Sequence, residues 1–166
     1  QPLPISVNVS RTYLQKEDVA GYIRNLIDKY QIPMELFQLE ITETTENAES
    51  LSYINSLKQA GFTLLMDDFG SGYSSLCMLK NTPFDVLKMD RQFLDECLDS
   101  KQGKTIISHV ISMSNDLGLS IIAEGVENRG TADFLYDNGC SVSQGFYFSK
   151  PVPIPEFEHM LDEQQR

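Results

Sequence analysis

The chain has 166 residues, 41% of them hydrophobic, with a formal net charge of −11. That length suits a single domain, residues 1–166, with a real core. The acidic balance argues against binding DNA or RNA polymers through a basic surface, but a phosphate ester can still be held where metal ions supply positive charge.

In chain order, Pro4 to Ser10 is alternating and β-branched and reads as a strand ending near Asn8. Residues 16–30 read as a helix with Val19, Ile23, Leu26, Ile27 and Tyr30 on one face, and Pro33 marks a break. Phe37 to Glu43 is the second strand. Residues 47–60 are the next helix, capped by Asn47 and stopped by Gly61, with Leu51, Ile54 and Leu57 as its stripe. Phe62 to Asp67 is a short, apolar third strand that ends on two adjacent carboxylates, Asp67 and Asp68. The loop Gly70-Ser71-Gly72 leads into a helix over residues 74–80. Pro83 to Asp90 gives a fourth strand. Residues 101–117 form a long helix with Ile106, Ile107, Val110, Ile111, Met113 and Leu117 at apolar positions, ended by Gly118. Leu119 to Glu124 is a fifth strand, residues 130–138 a helix stopped by Gly139, and Val142 to Phe148 a sixth strand. After Pro151, Pro153 and Pro155 comes a terminal helix over residues 156–163.

No apolar run reaches the length of a membrane span and no secretory signal precedes the first strand, so a cytoplasmic domain is expected. Cys77, Cys97 and Cys140 make no C-x-x-C pair and read as buried free thiols in a reducing compartment. His109 and His159 have no ligand-spaced partner and read as structural or surface residues.

Alternating strands and helices, with near-continuous apolar strands, argue for a parallel sheet with helical crossovers. The strands end on Asn8, Glu40, Asp67, Lys88, Glu124 and Gln144. These are separated by 32, 27, 21, 36 and 20 residues, about one βα unit each. A doubly wound sheet collects strand-end residues only near its switch point, whereas a (β/α)8 barrel brings all strand ends to one face. The expected fold is therefore an incomplete (β/α)8 TIM-like barrel of six parallel strands, because the whole barrel typically needs about 250 residues. The expected absentees are its first two strands. The first and sixth strands should then be sheet edges, which invite self-association.

Asn8, Glu40, Asp67, Asp68 and Glu124 are all oxygen donors, and no histidine or cysteine ends a strand. Such a set suits Mg2+ or Mn2+ and disfavours zinc. Two such ions activate water and stabilise the leaving oxygen of a phosphodiester, and Lys88 adds a cation that contacts the phosphate or orients the water. Plainer readings exist for each residue: Asn8 as a turn, Asp68 as a helix cap, Lys88 as a rim salt bridge, Gln144 as a cap partner. A Schiff-base lysine is a different chemistry, but it needs a deprotonated amine, and carboxylate neighbours keep Lys88 charged. Gly70-Ser71-Gly72 is a weak dinucleotide signal because it follows two acids.

Val7-Asn8-Val9-Ser10, Glu40-Ile41-Thr42-Glu43, Asp67 to Leu76, Lys88-Met89-Asp90, Glu124-Gly125-Val126-Glu127 and Gln144-Gly145-Phe146 together resemble the ordered motifs of the EAL domain family. These are bacterial phosphodiesterases that open cyclic di-GMP to linear pGpG. The resemblance implies that Asn8, Glu40 and Asp67 bind one Mg2+ or Mn2+ ion and that Asp67 and Asp68 bind a second. It implies Lys88 beside the metal-bound water, Glu124 as general base or water-positioning group, and Gln144 lining the site. Glu43, with the loop from Asp68 to Leu76 that includes Gly70, Ser71 and Gly72, resembles a segment linked to metal binding and dimerisation. Asp90 resembles the acid that closes the lysine strand. Ser71 stands where threonine is commoner, and Phe146 where tyrosine is. The family's Glu-Ala-Leu motif and a nearby phosphate-contacting arginine, expected upstream, are not in this sequence, which should weaken metal and substrate binding. The resemblance also implies a homodimer and fusion to sensory or diguanylate-cyclase-like domains. The alternative on the same fold is a non-catalytic cyclic di-GMP receptor or protein-interaction module.

Overall fold

The structure is a computed structural model that describes residues 2–10, 18–42, 48–71 and 75–164. Its strands are β1 (Ile5–Asn8), β2 (Phe37–Thr42), β3 (Thr63–Phe69), β4 (Val86–Met89), β5 (Ser120–Ala123) and β6 (Val142–Ser143). Its helices are α1 (Val19–Lys29), α2 (Ala48–Gln59), α3 (Ser75–Asn81), α4 (Arg91–Leu98), α5 (Lys101–Asp116), α6 (Arg129–Asp137) and α7 (Ile154–Gln164). The strands form one sheet in the order β1 to β6, every neighbour parallel. That is six consecutive units of a curled (β/α)-barrel arrangement, as the strand-end pattern implies.

Successive side chains on a strand point to opposite faces. The register puts Leu39, Ile41, Leu64, Met66, Leu87, Met89 and Ala123 on one face, and these are fully buried. They share a cluster with Ile23 and Ile27 of α1, Ile54 and Leu57 of α2, and Ile107 and Ile111 of α5. Each such side chain taken out of water is worth about 1.5–3 kcal/mol. The other face carries Ser6 and Asn8, Glu40, Leu65 and Asp67, Val86 and Lys88, and Ile122. Helix packing thus holds the sheet from one side and leaves the polar residues to the other.

Several elements differ from expectation. The third strand runs past Asp67 and takes in Asp68 as well, because it continues to Phe69 through a register shift against β4. Asp68 is the extra residue at this bulge and takes a positive φ of 58°, which aspartate tolerates better than most residues. Phe69 then returns to the core and meets Phe93 of α4 edge-on at 6.1 Å. Helix α4, absent from the sequence reading, is only two turns long and falls below the window in which periodicity is measurable. The fourth strand starts at Val86, not Pro83, since a proline lacks the ladder donor. Strand β6 stops at Ser143. Phe146 to Phe148 form a turn in which Phe148 N bonds Gly145 O, not a strand.

On α1 the buried side chains are Val19, Ala20, Ile23 and Ile27, while Leu26 and Tyr30 are exposed. Ile106 and Leu117 are likewise exposed, so each stripe is narrower than apolar spacing alone implies. The Asn47 cap lies outside the described residues. No helix among the described residues is long and apolar enough to cross a membrane.

The cysteines are not alike, which corrects their common assignment to the interior. Cys77 is exposed, Cys97 half-buried and Cys140 buried. Burial pushes the Cys140 thiol above its ordinary range, opposed by hydrogen bonds, and burial together with Glu96 raises Cys97. Since the thiolate is the nucleophile, Ellman's reagent at pH 8 is expected to titrate Cys77 at once, Cys97 more slowly, and Cys140 only after denaturant is added. Rapid reaction of three thiols in the folded protein would contradict this packing.

Candidate active site

The functional residues converge on Lys88. Its Nζ lies 2.8 Å from Glu40 Oε1, 2.8 Å from Asp67 Oδ1 and 2.8 Å from Glu124 Oε1. The partners come from β2, from β3 and from the residue that follows β5. They meet because Glu40, Asp67 and Lys88 share the face opposite the apolar core, where strands lie about 4.8 Å apart. Glu124 N bonds Met89 O at 3.0 Å, which ties the end of β5 to the end of β4.

Glu124 is further held by Gln144, whose Nε2 donates to Glu124 Oε1 at 2.9 Å. The backbone enforces that pair: Gln144 N bonds Ala123 O, Val126 N bonds Gln144 O and Tyr147 N bonds Val126 O. The next residue must be glycine, since a Cβ at Gly145 would stand 2.2 Å from Val126 O. Gln144 is thus a partner of the acid cluster and not of a helix cap.

Other sequence-selected residues fall around this centre. Asn8 sits beside Glu40 in register at the end of β1 and is exposed. Asp68 faces the field of Asp67, Asp90 and Lys88. Asp90 caps α4, its carboxylate accepting from Gln92 N at 2.8 Å. Ser71 is exposed and its N–H bonds Asp68 O. Gly70 packs on Phe93 at a positive φ of 98°, so its role is to turn the chain after the bulge. Glu43 and Gly72 lie outside the described residues. His109 and His159 are exposed on α5 and α7, far in sequence from every strand end.

Two participants escaped the sequence reading. Ser6 Oγ donates to Glu40 Oε1 at 2.5 Å. Its position two residues before Asn8 on a strand was the available signal, because period two puts both on one face. Arg91, the first residue of α4, pairs with Glu127 at 2.8 Å. It borders a cleft of about 530 Å³ with Gly125, Glu127, Gln144, Phe146 and Lys150. That volume is in the range of small-molecule sites, and the cleft reaches the acid cluster through Gln144.

Burial pulls the Lys88 ammonium down, but hydrogen bonds to Asp67, Glu124 and Glu40 outweigh it and hold the group above the ordinary lysine range. Lys88 is therefore held as a cation, which argues against the free amine that a Schiff base needs. Burial pushes the Glu124 carboxyl up; the Lys88 donor opposes this, and Asp67 and Glu40 add to it. Asp68 is raised as well, by burial first and then by Asp67 and Asp90.

Among the described residues no group of three or more His, Cys, Asp or Glu side chains converges closely enough to hold a metal ion, since the ammonium takes the centre. The donor chemistry nevertheless fits a hard divalent cation. Three carboxylates face one ammonium, so negative charge is left uncompensated. Each carboxylate faces Lys88 through one oxygen, and the Ser6 and Gln144 donors fall on that same oxygen of Glu40 and Glu124. With Asn8 and Asp68 alongside, the unused donors are all oxygens.

Residues 1–151 match the EAL domain family. The chain belongs to that family. The EAL chain is 36% identical over 165 residues to the cyclic di-GMP phosphodiesterase RocR of Pseudomonas aeruginosa, covering 98% of this chain and 41% of that protein. Among solved structures it is similar to the phosphodiesterase PaMucR in complex with c-di-GMP, with a TM-score of 0.83 and 33% identity over 93% of this chain and 64% of that one. It also resembles a Klebsiella pneumoniae BlrP1 manganese/cy-diGMP complex, with a TM-score of 0.82 and 27% identity over 90% of this chain and 39% of that one. The EAL chain spans about a fifth to two fifths of the length of the curated relatives it matches.

The ammonium is what allows three acids to share this buried space. Lys88→Met leaves them facing one another without a cation. It is expected to destabilise the protein by about 3–5 kcal/mol in urea unfolding at pH 7 without divalent ions. A loss below about 1 kcal/mol would mean that the cluster does not depend on Lys88.

Proposed function

We propose that this EAL domain is a metal-dependent phosphodiesterase that hydrolyses cyclic di-GMP to linear pGpG. The observation that carries this reading is the Lys88-centred acid cluster: an oxygen-only donor set with excess negative charge, opening on a nucleotide-sized cleft. The relatives' substrate and the manganese held by one of them point the same way.

In this reading Asn8, Glu40, Asp67 and Asp68 hold two Mg2+ or Mn2+ ions. Bound there, the ions supply charge neutralisation and lower the pKa of water. Lys88 stays protonated, so it contributes charge to a phosphate oxygen and does not accept a proton. Glu124, whose carboxyl burial pushes up against the opposing Lys88 donor, is the carboxylate assigned to take a proton from the attacking water. Gln144 holds Glu124 in place. The net change is one P–O ester bond broken, with hydroxide added to phosphorus and the proton delivered to the leaving 3′ oxygen. The Lys150 ammonium, 5.7 Å from the Phe146 ring centroid, brings positive charge to the cleft, where the charge of Arg91 is shared with Glu127.

Chromatography of cyclic di-GMP incubated with the chain and Mn2+ tests this. Linear product is expected from the wild-type chain, none with excess chelator, and at least about 100-fold less from Asp67→Asn or Lys88→Ala. Binding of cyclic di-GMP with no turnover in Mn2+ would replace the enzyme with the receptor reading. Borohydride trapping at Lys88 would overturn both.

We further propose that the domain self-associates as a homodimer or larger species, works in the cytoplasm and belongs to a longer signalling protein. Among the described residues β1 pairs with β2 alone, and a strand paired on one side can pair with another chain. Light scattering across a concentration series is expected to show mass above the monomer, and a monomer throughout would refute association.

A further inference from the structure

Resting on the metal-site reading above, we propose that Ser6 is a positioning residue that orients Glu40 for metal binding. Ser6 lies on β1 two residues before Asn8 and shares its face. Its hydroxyl donates to Glu40 Oε1 at 2.5 Å. The same oxygen accepts from Lys88 Nζ at 2.8 Å. Both donors therefore act on Oε1, and neither occupies Oε2.

The two donors differ in kind. Lys88 divides its N–H groups among Glu40, Asp67 and Glu124, so its hold on Glu40 weakens whenever another acid draws it away. Ser6 has one donor and gives it to Glu40 alone. The terminal torsion of a glutamate is broad and set by whatever its oxygens bond to. A second, unshared donor on Oε1 fixes the carboxylate plane and would leave Oε2 to a metal ion. The backbone supports the contact, since Asn8 pairs with Glu40 and Val9 N bonds Glu40 O at 2.9 Å. Hydrogen bonds to ligating carboxylates are known to matter to affinity as ligands do, and their loss typically costs about 10–100-fold.

The test is Mn2+ titration of the chain without substrate, by calorimetry or by loss of the free-ion EPR signal. It compares wild type, Ser6→Ala, Ser6→Thr and Asp67→Asn, with thermal melts alongside. Threonine keeps the hydroxyl and suits a strand. The expected result is affinity at least about tenfold weaker in Ser6→Ala, kept within about threefold in Ser6→Thr, and lost in Asp67→Asn. Wild-type affinity in Ser6→Ala would overturn the proposal. So would equal losses in Ser6→Ala and Ser6→Thr, which would trace the effect to β1 packing and not to the hydroxyl. No Mn2+ binding by the wild-type chain would take down the metal site itself, and this inference with it.

Discussion

One ammonium group makes this site possible. Like charges at 4 Å repel by on the order of 4 kcal/mol even at the effective dielectric of a protein surface. Glu40, Asp67 and Glu124 come from separate elements and would be driven apart by that repulsion. Lys88 reaches all three at 2.8 Å, and its place at the middle of the sheet explains how. Strand β4 has β3 on one side and β5 on the other, so a long side chain on its polar face spans toward acids on both flanks.

The sheet separates two jobs by period. On β2 and β4 the odd positions Leu39, Ile41, Leu87 and Met89 build the helix-covered core and the even positions build the site; on β3 the parity is reversed, with Leu64 and Met66 in the core and Asp67 in the site. The β3 bulge is the one place where this bookkeeping is suspended. It inserts Asp68 between Asp67 and Phe69, so two successive carboxylates serve the polar side while Phe69 rejoins the core. A regular strand would have turned the second acid into the apolar layer.

Most of this was legible in the residues. Strand-end spacing pointed to a parallel (β/α) arrangement, and the polar residue of each unit proved to sit on the open face. What was not legible has physical causes. The bulge depends on pairing with β4, which no local pattern encodes. Helix α4 is too short for periodicity to register, and Arg91 went with it. The Val142 to Phe148 run is apolar enough for a strand, but Gly145 packs against Val126 and bends the chain away. Burial also escaped composition: Leu26, Tyr30 and Cys77 are apolar or thiol residues that the fold leaves in solvent. Ser6 was overlooked because its importance lies in what it touches, and that is Glu40, thirty-four residues away.

Four consecutive residues run from the acid cluster to the cleft. Lys88 holds the acids, Met89 lies in the core, Asp90 caps α4 and Arg91 pairs with Glu127. There is no linker in this run to absorb error. Insertion or deletion of a single residue between Lys88 and Arg91 would set the strand register that places the lysine against the helix start that places Asp90 and Arg91. The site and the cleft are therefore spaced by chain length itself, and side-chain variation can tune either one without changing the distance between them.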